Sequence, residues 1–168
     1  MGSARKNSDT EKLCNLVLDQ VPFDIIDLLD YSISHYNYDG QYPKDDQFME
    51  LANRMVQYAT LVFATPVYWY SMSSYLKVFL DRITDLTRIQ RTVGRQLADK
   101  TMFMLATSAS DAMPEGFEVP FASTADYLHM KYGGAYFTPS YQFDQPYVGK
   151  EEFAKQVAIS LEGKSLSD

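Results

Sequence analysis

Thr60-Leu-Val-Phe-Ala-Thr65-Pro66-Val67-Tyr68-Trp69-Tyr70-Ser71-Met72-Ser73 is the stretch on which the fold turns. Its first six residues form a short apolar run of the kind buried on both faces of a parallel sheet. Pro66 is expected to stop that strand. A helix should then cover Ser71 to Ile83, presenting Leu76, Phe79, Leu80 and Ile83. Downstream, Thr101 to Thr107 reads as a second buried strand that gives way to the small set Ser108-Ala109-Ser110. Phe117 to Met130 follows as a helix despite Pro120, Gly134 to Phe137 as a last strand, and Glu151 to Leu161 as a closing helix with a frayed tail. Upstream, Asp9 to Leu18 carries Leu13, Leu16 and Val17 at helical spacing, with Ser8 or Asp9 able to cap its start. Phe23 to Leu29 reads as a strand and Tyr31 to Gln47 as a long polar and aromatic connection. Asp45-Asp46 opens a helix with Phe48, Leu51, Met55 and Tyr58 on one face. Strands alternating with helices imply an α/β domain, a parallel sheet covered on both faces. Such sheets bind ligands in the loops at the carboxyl ends of their strands.

The 168 residues suit one domain spanning 1–168, and no repeat or Gly/Ser-rich linker divides them. No apolar run approaches the roughly 18–20 residues that cross a bilayer, so no membrane association is expected. The polar start Met-Gly-Ser-Ala-Arg-Lys lacks the apolar stretch of a signal peptide, and a lone cysteine cannot form an internal disulfide. Cytoplasm is the expected compartment. A net charge of −7 disfavours a nucleic-acid partner, since a phosphate backbone selects for basic surfaces. It leaves room for one small anion held by a local basic loop.

Three loops carry such chemistry. Gly2 to Thr10 gathers hydroxyls, an amide and two cations directly before a helix, where unpaired N–H groups and the positive dipole end favour a phosphate. An ordinary helix cap with solvated Arg5 and Lys6 is the alternative. Thr65 to Ser73 sets three aromatics after a buried strand, where a flat redox ring could lie against Tyr68 or Trp69. The alternative there is an aromatic cluster packed over the sheet end or into a subunit interface. Thr107 to Ser110 lets backbone approach a ligand, or makes a plain turn. All three should open on one sheet edge.

Taken together, Ala64-Thr-Pro-Val-Tyr-Trp-Tyr-Ser-Met-Ser, continuing to Leu76-Lys77-Val-Phe-Leu-Asp81-Arg82, resembles the flavin-ring loop and following helix of flavodoxin-like NAD(P)H-dependent FMN reductases. Gly2 to Thr10 resembles that family's FMN-phosphate loop. The resemblance runs over nearly the whole chain, weakening after about Gly134. It implies a flavodoxin-like doubly wound parallel sheet, order 2-1-3-4-5, with helices on both faces. It also implies that Ser3, Arg5, Asn7, Ser8 and Thr10 contact the FMN phosphate. Pro66, Val67, Tyr68 and Trp69 would line the flavin ring, and Ser108 and Ala109 would approach its other edge. Lys77, Asp81 and Arg82 would steady the helix. The activity implied is passage of hydride from NAD(P)H to flavin and then to a small acceptor: a quinone, an azo or nitro compound, or free flavin. Catalytic side chains are not expected, because the flavin carries the chemistry. A flavodoxin-type electron carrier and a cofactor-free interaction module are the rival functions; bleaching of bound flavin by NADPH alone separates the first, and the presence of yellow colour the second. Tyr70, Met72, Tyr75 and Phe79 suggest a two-fold homodimer. His35 and His129 stand far apart and away from Cys14, so no metal site is expected. Cys14 and the methionines read as packing, and Asp45-Asp46 as helix-dipole partners.

One element of that fold has no counterpart in the sequence. The phosphate loop should follow a strand of five or six apolar residues, and only Met1 stands before it. Losing about four buried aliphatic side chains, at roughly 1.5–3 kcal/mol each, removes on the order of 6–12 kcal/mol. The expectation is that a short Val/Ile/Leu-rich run, within roughly six to ten residues upstream, completes the sheet, or that another segment or chain fills the gap.

Overall fold

The computed structural model describes residues 1–143 and 149–162. Its sheet comprises β1 (Thr60–Tyr68), β2 (Ser71–Met72), β3 (Thr101–Ser108) and β4 (Lys131–Pro139), in the order β2-β1-β3-β4. β1, β3 and β4 run parallel, from Thr60 opposite Thr101 and Thr101 opposite Lys131, with a register shift between Met102 and Phe103. β2 turns back antiparallel on the end of β1. The helices are α1 (Asp9–Val17), α2 (Phe48–Met55), α3 (Ser74–Arg88), the single turn α4 (Arg91–Gly94), α5 (Val119–Tyr127) and α6 (Lys150–Glu162). The tail expected to fray lies, from residue 163 on, outside the described residues.

Two apolar clusters flank the sheet, as strand alternation requires. Phe63, Met102, Met104 and Ala106 pack with Leu51, Leu76, Phe79 and Phe121 on the side of α2, α3 and α5. Ala64, Phe103, Leu105 and Tyr136 pack with Leu13, Val17, Phe153 and Val157 on the side of α1 and α6. No helix among the described residues is long and apolar enough to cross a membrane.

Several expectations change. β1 does not stop at Pro66 but runs through it to Tyr68. Ala64 turns its carbonyl away from β3 toward Gly2, so by the two-residue alternation Pro66 also faces away from β3. Its missing N–H therefore breaks no β1–β3 bond. The helix placed at Ser71 begins at Ser74, because Ser71 and Met72 are hairpin strand and Ser73 is the cap. Pro120 is tolerated because it sits in the first turn of α5, where its N–H has no intrahelical partner to lose. Phe23–Leu29 is not a strand: it runs as irregular backbone into a 3-10 turn at Leu28–Asp30 that Asp27 caps through Leu29 N. Among the described residues its ladder bonds are limited to Met1, whose N donates to Ile26 O while Leu28 N donates to Met1 O at 3.0 Å. The order 2-1-3-4-5 is thus present in its last three places, with β2 added as a hairpin beside β1 and irregular backbone where strand 2 was expected.

Candidate functional site

The parallel strands carry the loop after Met1, the β1–β2 hairpin and the loop after β3 to one edge of the sheet. Gly2 is the hinge between them. Its N–H donates to Ala64 O at 2.9 Å, continuing the ladder into β1. Its carbonyl would next meet residue 66, but proline has no N–H to give, and Ser73 Oγ donates to it instead at 2.5 Å. Ser73 Oγ also accepts from Leu76 N at 3.2 Å, capping α3, and Ser73 N donates to Thr65 Oγ1 at 3.0 Å. One buried serine thus ties the first loop, the end of β1 and the start of α3. Thr65 and Ser73 were not singled out from the sequence, although a serine before an amphipathic run is an N-cap signal.

Within the first loop, Ser8 caps α1 by accepting from Glu11 N at 3.2 Å. Ser3, Ser8 and Thr10 are buried, and Asn7 takes a left-handed φ of 50°. The two cations diverge. Lys6 is drawn to Asp27 at 2.8 Å and Asp30 at 2.6 Å, and these carboxylates hold its pKa above the ordinary value. Arg5 stays exposed, with one 3.3 Å contact to Asp9 of the kind worth little in water. Thr10 Oγ1 is buried with no hydrogen-bond partner, and so is Thr107 Oγ1 near the end of β3. A buried unpaired hydroxyl costs roughly 1–3 kcal/mol, which a ligand oxygen at these places would relieve. Hydroxyl donors at the N-terminus of a nine-residue helix suit a phosphate.

The other predicted residues occupy the same edge in different environments. Pro66 is buried and Val67 half-buried, while Tyr68 is half exposed and Trp69 is 94% exposed. Trp69 and Tyr70 form a two-residue hairpin turn in which both have positive φ, 47° and 64°. Such turns favour Asn-Gly, and each side chain held there costs on the order of 1 kcal/mol. Tyr70→Gly is therefore expected to raise the melting temperature of the ligand-free protein by about 2–4 °C, read by thermal unfolding. Ser108 is half-buried, its Oγ accepting from Ser110 N at 3.0 Å, and Ala109 is exposed. Tyr141, just past β4, donates to Asp111 and closes this loop from the far side. Of the residues assigned to a dimer surface, Tyr70 and Tyr75 are exposed, but Met72 and Phe79 are core residues. They lie on the inner face once the helix begins at Ser74. No cluster of three metal-ligating side chains occurs among the described residues.

A family described as NADPH-dependent FMN reductase matches residues 1–142. YwqN of Bacillus subtilis (strain 168), named as an NAD(P)H-dependent FMN-containing oxidoreductase, is 27% identical over 122 residues, which cover 68% of this chain and 67% of that one. Among solved structures, the Trp repressor binding protein from Bacillus subtilis superposes with a TM-score of 0.62 at 21% identity, covering 96% of this chain and 95% of its own. The flavodoxin of Megasphaera elsdenii superposes at 0.56 and 9% identity, covering 95% and 99%. These likenesses show a flavodoxin-like fold. The chain belongs to the NADPH-dependent FMN reductase family, oxidoreductases that take FMN as cofactor and NAD(P)H as co-substrate.

Proposed function

We propose that this protein reduces a small acceptor (a quinone, an azo or nitro compound, or free flavin) with hydride taken from NAD(P)H, on an FMN held by the three loops. The observation that carries the reading is Thr10 Oγ1, a buried hydroxyl without a partner at the start of α1. FMN, when bound, supplies the ring that accepts and passes on hydride. The protein's part is to bind, orient and shield. Ser3, Asn7, Ser8 and Thr10 offer donors to the phosphate, and Arg5, free to leave Asp9, supplies the charge that Lys6 has committed to Asp27 and Asp30. Pro66 to Trp69 form the ring's platform, and Ser108 with Ala109 its opposite edge. Exposed Tyr68 and Trp69 give a flat acceptor a surface to stack on. We further propose a homodimer, in which Tyr70 and Tyr75 bury against a second copy and narrow the entrance; a monomeric mass by light scattering at micromolar concentration overturns it.

Thr10→Val is the test of the site. Losing one hydrogen bond to a charged group costs roughly 1.5–3 kcal/mol, so the FMN dissociation constant should rise about tenfold or more. The ligand-free variant should melt no lower than its parent, because valine removes an unpaired buried hydroxyl. Arg5→Ala should weaken FMN comparably, and more at low salt. Unchanged FMN affinity in both variants sinks the phosphate assignment. Rapid bleaching of the bound flavin by NADPH alone separates a reductase from an electron carrier.

A further inference from the structure

A groove of about 470 Å³ lies between α3 and α5. Both helices start at the edge where the three loops meet, since α3 follows the β1–β2 hairpin and α5 follows the loop after β3. Met72, in the strand that leaves the Trp69-Tyr70 turn, and Pro120, in the first turn of α5, frame the upper end. From there the groove passes Lys77, then Asp81 one turn further along α3, and reaches Thr84 and Tyr127. Among the described residues that line it, Lys77 is the one cation and Asp81 the one carboxylate. They hold one another at 2.6 Å with side chains 57% and 47% exposed, a pair worth little in water and easily parted. Tyr127 is 72% exposed and stands about 10 Å further along α5 than Pro120, at 1.5 Å per residue.

We propose that this groove holds the adenosine half of the dinucleotide co-substrate, with Lys77 on the diphosphate, Asp81 on the adenosine ribose hydroxyls and Tyr127 against the adenine, and that Asp81 makes NADH the preferred reductant. The assignment rests on the reductase reading and adds where the far end of the reductant lies. Its warrant is the order of the chemistry. A nicotinamide set against a flavin at the strand ends leaves diphosphate, ribose and base to trail away from that edge in turn. The groove presents a cation, a carboxylate and an aromatic ring in the same turn. An ammonium answers the diphosphate, a carboxylate accepts from ribose hydroxyls, and a phenol ring offers adenine a face to stack on. The volume falls within the roughly 300–1,000 Å³ of small-molecule sites.

Asp81 also separates the two dinucleotides. NADH brings a 2′-hydroxyl that donates to the carboxylate, whereas NADPH brings a phosphate that the carboxylate repels. Among the described lining residues no second cation answers that phosphate once Lys77 holds the diphosphate. The proposed dimer leaves the groove open. At 3.6 residues per turn, Tyr75 falls on the opposite flank of α3 from Lys77 and Thr84.

The experiment uses the FMN-loaded protein and three reductants: NADH, NADPH and reduced nicotinamide mononucleotide, which carries the same hydride donor and no adenosine. In the parent, NADH should half-saturate flavin bleaching at a concentration about tenfold below NADPH. Tyr127→Ala should lower the efficiency of NADH relative to the mononucleotide about tenfold, through the half-saturating concentration and not the limiting rate. Asp81→Asn should bring NADPH level with NADH. Without any turnover, adenosine 5′-diphosphate should shift the amide resonances of Thr84 and Tyr127, and Tyr127→Ala should weaken its binding about tenfold. A Tyr127→Ala variant that keeps the parent ratio of NADH to mononucleotide efficiency overturns the proposal, as do diphosphate shifts that fall outside the groove. An unchanged NADH-to-NADPH ratio in Asp81→Asn overturns it too. Groove amides that become protected as a dimer forms, and no longer answer to the diphosphate, assign the groove to a second copy and overturn it equally. Bleaching of the parent by none of the three reductants removes the reductase reading and this proposal with it. Bleaching by NADH that the groove variants leave unaltered removes the proposal alone.

Discussion

Arg82→Ala is expected to lower the melting temperature by on the order of 10 °C while leaving FMN affinity nearly unchanged. The Arg82 side chain is only 1% exposed, in the middle of α3. Its Nη1 and Nη2 reach the two oxygens of Asp46 at 2.7 and 3.1 Å, Nη1 also donates to Ser34 O at 3.0 Å, and Nε donates to Asp85 at 2.9 Å. The guanidinium lies 3.4 Å from the centre of the Tyr42 ring and 4.6 Å from that of Phe48. Alanine leaves two buried carboxylates facing one another without their cation. Removing one partner of a buried pair costs roughly 3–5 kcal/mol, at about 2–4 °C per kcal/mol for a domain of this size. The damage should stay with the 31–47 connection, which this arginine pins to α3, far along the helix from Ser73. An FMN dissociation constant raised tenfold, measured well below the new melting point, would show instead that the connection supports the flavin loops.

The same cluster sets an acid limit. Burial alone would raise the pKa of Asp46, but Arg82 and the N–H groups of Ser34 and Phe48 outweigh it and hold the carboxyl below its ordinary value. A depressed folded pKa stabilises the protein above the ordinary carboxylate value, and that stability is lost as pH falls through the folded value. In Arg82→Ala burial goes unopposed by the guanidinium and the sign turns. The melting-temperature gap between parent and variant should therefore narrow between pH 7 and about pH 3. A gap independent of pH assigns the loss to packing against Tyr42 and Phe48 rather than to charge.

What the sequence made legible follows from how local each signal is. β1 and β3 are continuous apolar runs because both faces are buried; α1 announces itself by spacing and a capping serine, and α3 by spacing alone, so its start was placed three residues early. Phe23–Leu29 carries a strand's composition, but a strand exists only through its neighbours' hydrogen bonds, and among the described residues one rung from Met1 is all it has. The hairpin at Trp69-Tyr70 was invisible for the opposite reason: two aromatics hold a conformation that short sequences encode with Asn-Gly. Ser3, Ser8, Thr10 and Pro66 were assigned to the site through the resemblance of their two loops, whose residues are contiguous along the chain. The orphaned hydroxyls of Thr10 and Thr107, and the use of Ser73 in place of the N–H that Pro66 lacks, depend on contacts between loops far apart in sequence.

Those contacts meet at Gly2, and Gly2→Ala should damage both the fold and cofactor binding. A Cβ there would stand 2.8 Å from Leu76 Cβ and 2.9 Å from Leu76 N. Leu76 is anchored by the Ser73 cap and buried in the core, so neither atom can yield cheaply. The loop must move instead, and moving it breaks the bond from Gly2 N to Ala64 O or the one from Ser73 Oγ to Gly2 O. Overpacking of this kind costs roughly 1–3 kcal/mol, to which each lost bond adds about 1 kcal/mol. Because the phosphate loop departs from this residue, much of the strain should appear as lost binding: FMN affinity about 100-fold weaker and melting lower by roughly 4–10 °C. Gly116→Ala is the matched control. It also adds one methyl to a glycine, at φ +74° but with nothing within 4 Å, so it incurs backbone strain without a clash and should leave FMN binding intact. If Gly2→Ala binds FMN as tightly as the parent while Gly116→Ala does not, the loop after β3 and not the loop after Met1 governs the cofactor, and the three-loop reading of this sheet edge has the wrong anchor.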